Sequence, residues 1–526
     1  MILLKDRSGG CIMKLFPDMA AALPRTVTIE TEQDRAELSG ERKTALEDVT
    51  VGIAEGKVTL NAQSTGVSFL SLRWEAELPE DCRFLGDAWE RGYGDFEWRG
   101  FVFDRVMPWY FFALSGDTLA GFGVKTRPNA MCSFTCDPHG ITLHLDVRSG
   151  GAPVRLNGRT LTLCELVCAE FPAGDLFASQ QAFLRLLAEG AVFPKEKVYG
   201  FNNWYYAYGE SSREEILGNA AHLSRLTKGL ANRPFMVIDD GWQQNRYHGY
   251  IGGPWRQGKK EFGDMKTLAQ EMAAMDVIPG IWYRPLQNRE PALTDEMFRD
   301  RSDDLLDPSR RDVLDYIAQD VKQLCDWGYK LIKYDYSTYD ITGRWGPGMG
   351  ADFCDGRIRF ADDTKTTAEI VKGLYRTIFE AAEGKAEILG CNCVGHLGVG
   401  YMHLNRTGDD TSGRDFARTR RMGVNTLAFR MPQHGVFYDV DADCVGITEH
   451  IPWKQNEAWL KLLALSGTPL FVSVAPDLPT AEQNAVIAKY LADTSERTAV
   501  AVPLDALNNT TPELWRIGEE TVTFRY

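Results

Sequence analysis

Histidine is scarce in this chain, with eight in 526 residues. No H-E-x-x-H motif occurs, and the nearest cysteine groupings (Cys132/Cys136, Cys164/Cys168, Cys391/Cys393) form no paired C-x-x-C zinc pattern. A P-loop, a G-x-G-x-x-G turn and the G-x-S-x-G elbow are also missing. Gly346-Pro-Gly-Met-Gly350 lacks the strand-turn-helix context of a phosphate cradle and reads as a mobile loop. No metal and no cofactor are therefore expected.

Positive charge is in deficit: 58 Lys and Arg against 73 Asp and Glu, a net charge of −15. Binding nucleic acid needs clustered cations that replace counterions, so that class of partner is excluded. No apolar run approaches the roughly 20 residues that span a bilayer, so no membrane partner is expected. The first residues, "MILLKDRSGGCIMKLFPDM", lack the basic n-region, apolar h-region and cleavage site of a secretory signal. Met13-Lys14 offers a second start. Eleven cysteines, an odd number spread along a long chain, suit reduced thiols. Together these features lead us to expect a cytoplasmic protein.

What is present is a change of grammar along the chain. The first third alternates with period two: Val49, Val51, Ile53; Leu70, Leu72, Trp74, Ala76, Leu78; Ile141, Leu143, Leu145, Val147; then Leu161 and Leu163 after a Gly150-Gly151 turn. Short half-buried strands between turns predict an antiparallel β-sandwich. Near residue 195 continuous apolar strands begin to alternate with amphipathic helices.

The eight strand segments are "VYGFNNWYYAYG", "PFMVIDDGW", "IPGIWYRPL", "LIKYDY", "AEILGCN", "YMHLNRTGDD", "GVFYDVDADC" and "TPLFVSV". Ser211-Ser212 opens a helix with Glu214-Glu215 in capping-box register. Asp307-Pro308 is expected to cap another helix, which stops at Gly328. Thr480 caps a last one. Eight β units over about 300 residues predict a (β/α)₈ barrel. The expected division is a sandwich over 1–190, a catalytic barrel over 191–495 and a short C-terminal β segment over 496–526.

In such a barrel the chemistry sits at the C-terminal ends of the strands. Polar residues gather there: Trp204 and Tyr205 on strand one, Asp239-Asp240 on strand two and Trp282 on strand three. Lys333 and Asp335 follow on strand four, Cys391-Asn392 on strand five, Arg406 and Asp410 on strand six, Asp441 and Asp443 on strand seven. Each has a plainer reading alone. Lys333 and Asp335 serve equally well as a structural ion pair, Asp239-Asp240 as a turn and helix cap, Asp409-Asp410 as an acidic loop. Trp204, Trp242 and Trp282 separately read as core. Their joint placement on successive strand ends favours glycoside hydrolysis, which needs an ionised carboxylate and a protonated acid about one anomeric centre. Lys333 and Asp335 share a face, so the lysine is expected to keep Asp335 ionised and to donate to a sugar hydroxyl.

These motifs resemble the clan D glycoside hydrolases, chiefly family 36 α-galactosidases and more distantly family 27, over residues 85–475. "KYD" (333–335) is similar to the family's nucleophile strand, and "RTGDDT" (406–411) to its acid/base motif, selecting Asp410 over Asp409. "IDDGW" (238–242) resembles the aspartate pair that holds the 4- and 6-hydroxyls of galactose. "NNWYYAYG" and "GIWYRP" resemble the aromatic subsite segments carrying Trp204, Tyr205 and Trp282. "ILGC" (388–391) resembles the strand that sets Cys391 beside the sugar, and "DADC" (441–444) a seventh-strand motif. "DAWERGYGDFEW" (87–98) resembles a loop of the N-terminal domain that reaches the site through Trp89.

The resemblance implies a retaining exo-glycosidase that removes terminal α-linked galactose from oligosaccharides or glycoconjugates by double displacement. Asp335 would be the nucleophile and Asp410 the acid/base, kept protonated by an apolar, partly buried setting. Tyr283-Arg284, Asn392-Cys393 and the 342–360 loop depart from the family pattern, and Asp340 falls outside the motif as a loop residue. The glycone stays open at this stage: an α-N-acetylgalactosaminidase, a β-L-arabinopyranosidase, a raffinose-type galactosyl transferase and a non-catalytic sugar-binding relative remain alternatives. The partner expected is a small carbohydrate; a homo-oligomer also stays open.

Overall fold

The computed structural model describes residues 3–5, 11–13, 15–39, 48–244 and 252–526. Contacts divide the chain into two compact units. The first holds two six-stranded antiparallel sheets. In one, Val67–Glu75 lies between Thr26–Thr31 and Gly140–Asp146, and in the other Thr160–Pro172 lies between Lys57–Ala62 and Thr118–Val124. Alternation sets the register. Leu70, Leu72 and Trp74 face Leu145, Leu143 and Ile141 across one ladder, and all six are buried.

The second unit is built on parallel strands β1 (Tyr199–Asn202), β2 (Phe235–Ile238), β3 (Ile278–Tyr283), β4 (Leu331–Tyr334), β5 (Glu387–Gly390), β6 (Leu404–Arg406), β7 (Asp439–Asp441), β8 (Cys444–Ile447) and β9 (Leu470–Val474). Their order in the sheet is β7-β6-β5-β4-β3-β2-β1-β9-β8. β7 falls within the expected seventh strand and β8 continues it beyond a break at Asp443, whose φ is 72°. β7 pairs with β6 and β8 with β9, so the seventh strand is the seam that closes an eight-stranded barrel.

Local signals place the helices. Ser212 Oγ accepts from Glu215 N–H to open Arg213–Leu226, and Thr480 with Gln483 makes a reciprocal cap on Ala481–Glu496. Gly328, at φ 106°, ends Arg311–Trp327. Asp307 does not cap that helix: its carboxylate accepts from Ser309 N–H in a turn, and Arg310 takes the capping position.

The units divide the chain differently from the expected boundaries. The first unit comprises 1–89, 98–189 and 341–373, the second 90–97, 190–340 and 374–526. Residues 341–373 join the sandwich through Gly151 N–H to Ile358 O (2.9 Å), Arg155 N–H to Asp363 O (2.9 Å) and an Arg148–Asp352 ion pair (2.6 Å). Gly151 permits this approach, because a Cβ there would lie 2.3 Å from the Gly356 carbonyl oxygen. Residues 90–97 are tied into the barrel unit through Gly92, which donates to Thr407 O and accepts from Asp409 N–H. The tail contributes a three-stranded antiparallel sheet to the second unit (Ala501–Pro503, Leu514–Ile517, Glu520–Thr523).

Candidate active site

Asp335 follows directly on β4, and its N–H extends the ladder to Tyr283 O (2.9 Å). One carboxylate oxygen accepts the Trp282 indole N–H (3.1 Å), the other the N–H of Tyr336 (2.7 Å). Trp282 is 1 % exposed and fixed in place, its carbonyl accepting the Trp242 indole N–H while Trp255 packs on its ring. The indole thus offers Asp335 a rigid donor rather than a broad sugar platform. Trp242 is fully buried core, the plainer of its two readings.

Lys333 does not pair with Asp335 as expected. Its ammonium donates to Asp239 at 2.7 Å, and Asn202 donates to the same oxygen at 2.6 Å. Alternation puts Lys333 on the barrel's inner face, level with Trp282 on β3, and Asp239 ends the strand beyond that one. Burial, the largest single influence, opposes the lysine's charge, but Asp239 with smaller help from Cys391 and Asp335 holds the ammonium well above its usual range. Asp240 gives its N–H to Asp239 (2.9 Å) and accepts from Gln243 (2.7 Å), whose side-chain oxygen takes the Gly241 N–H.

Across the barrel mouth Arg406, at the end of β6, is buried among acceptors. Its guanidinium reaches Asp410 (3.2 Å), Asp443 (2.9 Å) and the Cys391 sulfur (3.5 Å). Asp443, at the break in the seam, also accepts from the Tyr205 hydroxyl and from Thr411 N–H and Oγ1. Arg91 approaches Asp409 (3.2 Å) and Asp410 (3.8 Å), and Arg418 closes on Asp409 at 2.6 Å. Each aspartate meets two arginines, but Asp409 is held more closely and is 20 % exposed, while the Asp410 side chain keeps 40 % exposure. That difference separates two adjacent aspartates which look identical in sequence.

Burial would push the Asp410 carboxyl up, but Arg406, Arg91 and Lys333 together hold it below its ordinary value. The expected apolar, proton-retaining setting is therefore not what surrounds it: without a ligand Asp410 is a carboxylate. Beneath it, Asn202, Lys333, Arg406, Asp441 and Asp443 line an interior cavity floored by Val237, Leu331 and Leu389. Asp441 is pushed up to about 6 by burial, with Arg406 opposing and Asp443 adding to the shift.

The remaining expected residues fall in different places. Tyr205 is 2 % exposed and spends its phenol on Asp443, which leaves it organising that carboxylate. Trp204 is half-buried, its N–H held by Asn202 and its ring 5.5 Å from Tyr208. Cys391 is fully buried, and burial with Asp335 nearby pushes its thiol well above the usual range. Trp89 belongs to the first unit, donating to Gly350 O at 3.0 Å with Trp109 edge-on.

Sequence reasoning did not assign roles to Asn202, Gln243, Arg91, Tyr336 or the Asp443 hub. Arg91 was visible only as the neighbour of Trp89 in a quoted loop. Asn202 stood in "FNNW" with nothing to show that it would meet Asp239.

No family model matches this chain. Among solved structures it is similar to an α-galactosidase from Thermus thermophilus in complex with p-nitrophenyl α-D-galactopyranoside, at 16% identity over 95% of this chain and 98% of that one, with a TM-score of 0.61. It is similar also to the GH36 α-galactosidase AgaA from Geobacillus stearothermophilus (15% identity, 98% and 78% covered, TM-score 0.57). The galactosidase domain of the α-galactosidase–sucrose kinase AgaSK is a third (15% identity, 98% and 77% covered, TM-score 0.55). Likeness at such identities is likeness of fold: this chain folds as the GH36 α-galactosidases do, with a β-sandwich and a (β/α)₈ barrel.

Proposed function

We propose that the protein is a retaining exo-α-galactosidase. Asp335 attacks the anomeric carbon of a terminal α-linked galactose, and Asp410 protonates the departing oxygen. Asp410 then takes a proton from water as that water opens the glycosyl ester, and the sugar leaves with its α configuration. Asp239 and Asp240 accept hydrogen bonds from the 4- and 6-hydroxyls, and Lys333 donates to the sugar from beside Asp239.

The observation that carries this reading is the contrast between two carboxylates at one barrel mouth. Asp335 is aimed by two N–H donors, the Trp282 indole and the Tyr336 backbone, and among the described residues no cation forms an ion pair with it. Asp410 keeps an exposed edge beside Arg406. A nucleophile needs fixed aim, and an acid/base needs access to both leaving group and water. An aglycone that covers the exposed edge of Asp410 strengthens desolvation and drives the carboxyl up toward the proton it must donate.

A proton NMR time course with an aryl α-galactoside tests the stereochemistry. We expect α-galactose to appear first and to mutarotate later. First release of β-galactose would overturn the double displacement. Product analysis with a second sugar in excess separates hydrolysis from galactosyl transfer.

A further inference from the structure

Arg284 and Asp340 have no part in the scheme above, yet they form a buried ion pair beside Asp335. Arg284 Nε and one terminal nitrogen bind the two oxygens of Asp340 at 2.9 and 2.6 Å, and the two side chains are 6 % and 0 % exposed. The pair joins the segment leaving β3 to the short helix Ser337–Thr342 that follows β4. The central guanidinium carbon lies over the Tyr336 ring, 4.1 Å from its centroid.

Tyr336 holds a left-handed backbone (φ 62°), which a residue with a side chain keeps only where its surroundings enforce it. Two grips act on that residue. Its carbonyl accepts the N–H of Asp340 (2.8 Å) and its ring lies under Arg284. Its own N–H is one of the two donors on Asp335.

We propose that Arg284 and Asp340 are positioning residues that clamp Tyr336 and through its N–H fix the aim of Asp335. The proposal rests on Asp335 being the nucleophile. Burying two charges is costly, and a mere tie between two loops is achieved as well by apolar packing. Stacking the guanidinium on the residue whose backbone N–H holds the carboxylate gives the pair its use. The Tyr336 phenol also feels Asp335, Asp410 and Asp240, which sets the clamped ring at the barrel mouth itself.

The test uses an α-galactosyl fluoride carrying a second fluorine at C5, which loses fluoride and leaves a slowly hydrolysed ester on the nucleophile. Mass spectrometry of the full-length protein locates the label, and the reagent concentration series separates binding from bond formation. Two variants are compared. Arg284→Met with Asp340→Leu removes both members of the pair together, so neither is left buried without the other. Tyr336→Gly removes the ring while still reaching a positive φ, and does not depend on repacking of the ion pair.

We expect the saturated labelling rate to fall about 10- to 100-fold in both variants, with the half-saturating concentration moving less than about threefold. Arg284→Lys, which keeps charge but loses the flat fork, should not restore the rate. Labelling of both variants at the unmodified rate overturns the clamp alone. An unmodified protein that takes no label on Asp335 overturns the reading of the site, and the clamp with it.

Discussion

The two sides of the barrel mouth hold their carboxylates by different means. On the β3–β4 side, Asp335 is held by an indole and a backbone N–H, neutral donors fixed by packing. On the β6–seam side, Asp410 is held by Arg406 with Arg91 close by, and Arg406 is shared with Asp443. Neutral donors fix direction without adding a counter-charge that an attacking oxygen must leave behind. Cations hold the charged form directly, so on the Asp410 side protonation is the quantity under control. On the proposed reading, local environment divides the labour between two identical side chains.

The comparison can be broken from either end. Asp335→Ala should cost the most, at least about 10³-fold in kcat on any α-galactoside, since no bond to the sugar can then form; aryl release measured by absorbance decides it. Asp410→Ala should cost about 10²- to 10⁴-fold on substrates with poor leaving groups and far less on a dinitrophenyl galactoside, whose leaving group needs no proton. Equal losses on both substrates would remove Asp410 from the acid role.

Arg91→Met should cost less than about tenfold in kcat/KM. Its diagnostic effect is on pH. Losing a cation beside Asp410 lets that carboxyl rise, so the alkaline limb of the pH–rate profile should move to higher pH. A limb that stays in place would show that Arg91 serves only Asp409 and Glu90, whose carboxylate lies 3.7 Å from its guanidinium.

The smallest effect concerns stability. Asp441 titrates near 6 in the folded protein, above the roughly 3.9 of an unfolded aspartate. The native state therefore binds the extra proton, and this group's contribution to stability falls as pH rises from about 4 to about 6. Asp441→Asn, which can still accept the Asp443 N–H, should raise stability at pH 7 by roughly 1–3 kcal/mol, with the gain vanishing below about pH 4. Urea unfolding at both pH values measures it.

Much of the fold was legible because its signals are local. Period-two runs put Leu70, Leu72 and Trp74 on a buried face, and caps at Ser212 and Thr480 are written in adjacent residues. The candidate site residues could be shortlisted from strand ends alone. Their pairings could not. Lys333 was expected on Asp335, two residues away, and instead reaches Asp239, 94 positions distant in sequence.

The sequence by itself determined the alternation of elements, the strand on which each functional side chain rides and the face to which it points. Those follow from backbone periodicity and the turn chemistry of near neighbours. Only the tertiary structure decided that Arg91 stands by Asp410, that Asp443 breaks the seventh strand to seat Arg406, and that Arg284 finds Asp340, which sits in the short helix after β4 and not in the expected loop. Partner choice among buried charges is a three-dimensional matter: each guanidinium or ammonium takes the carboxylate that closure of the barrel brings within reach, and desolvation penalises every arrangement that leaves one alone.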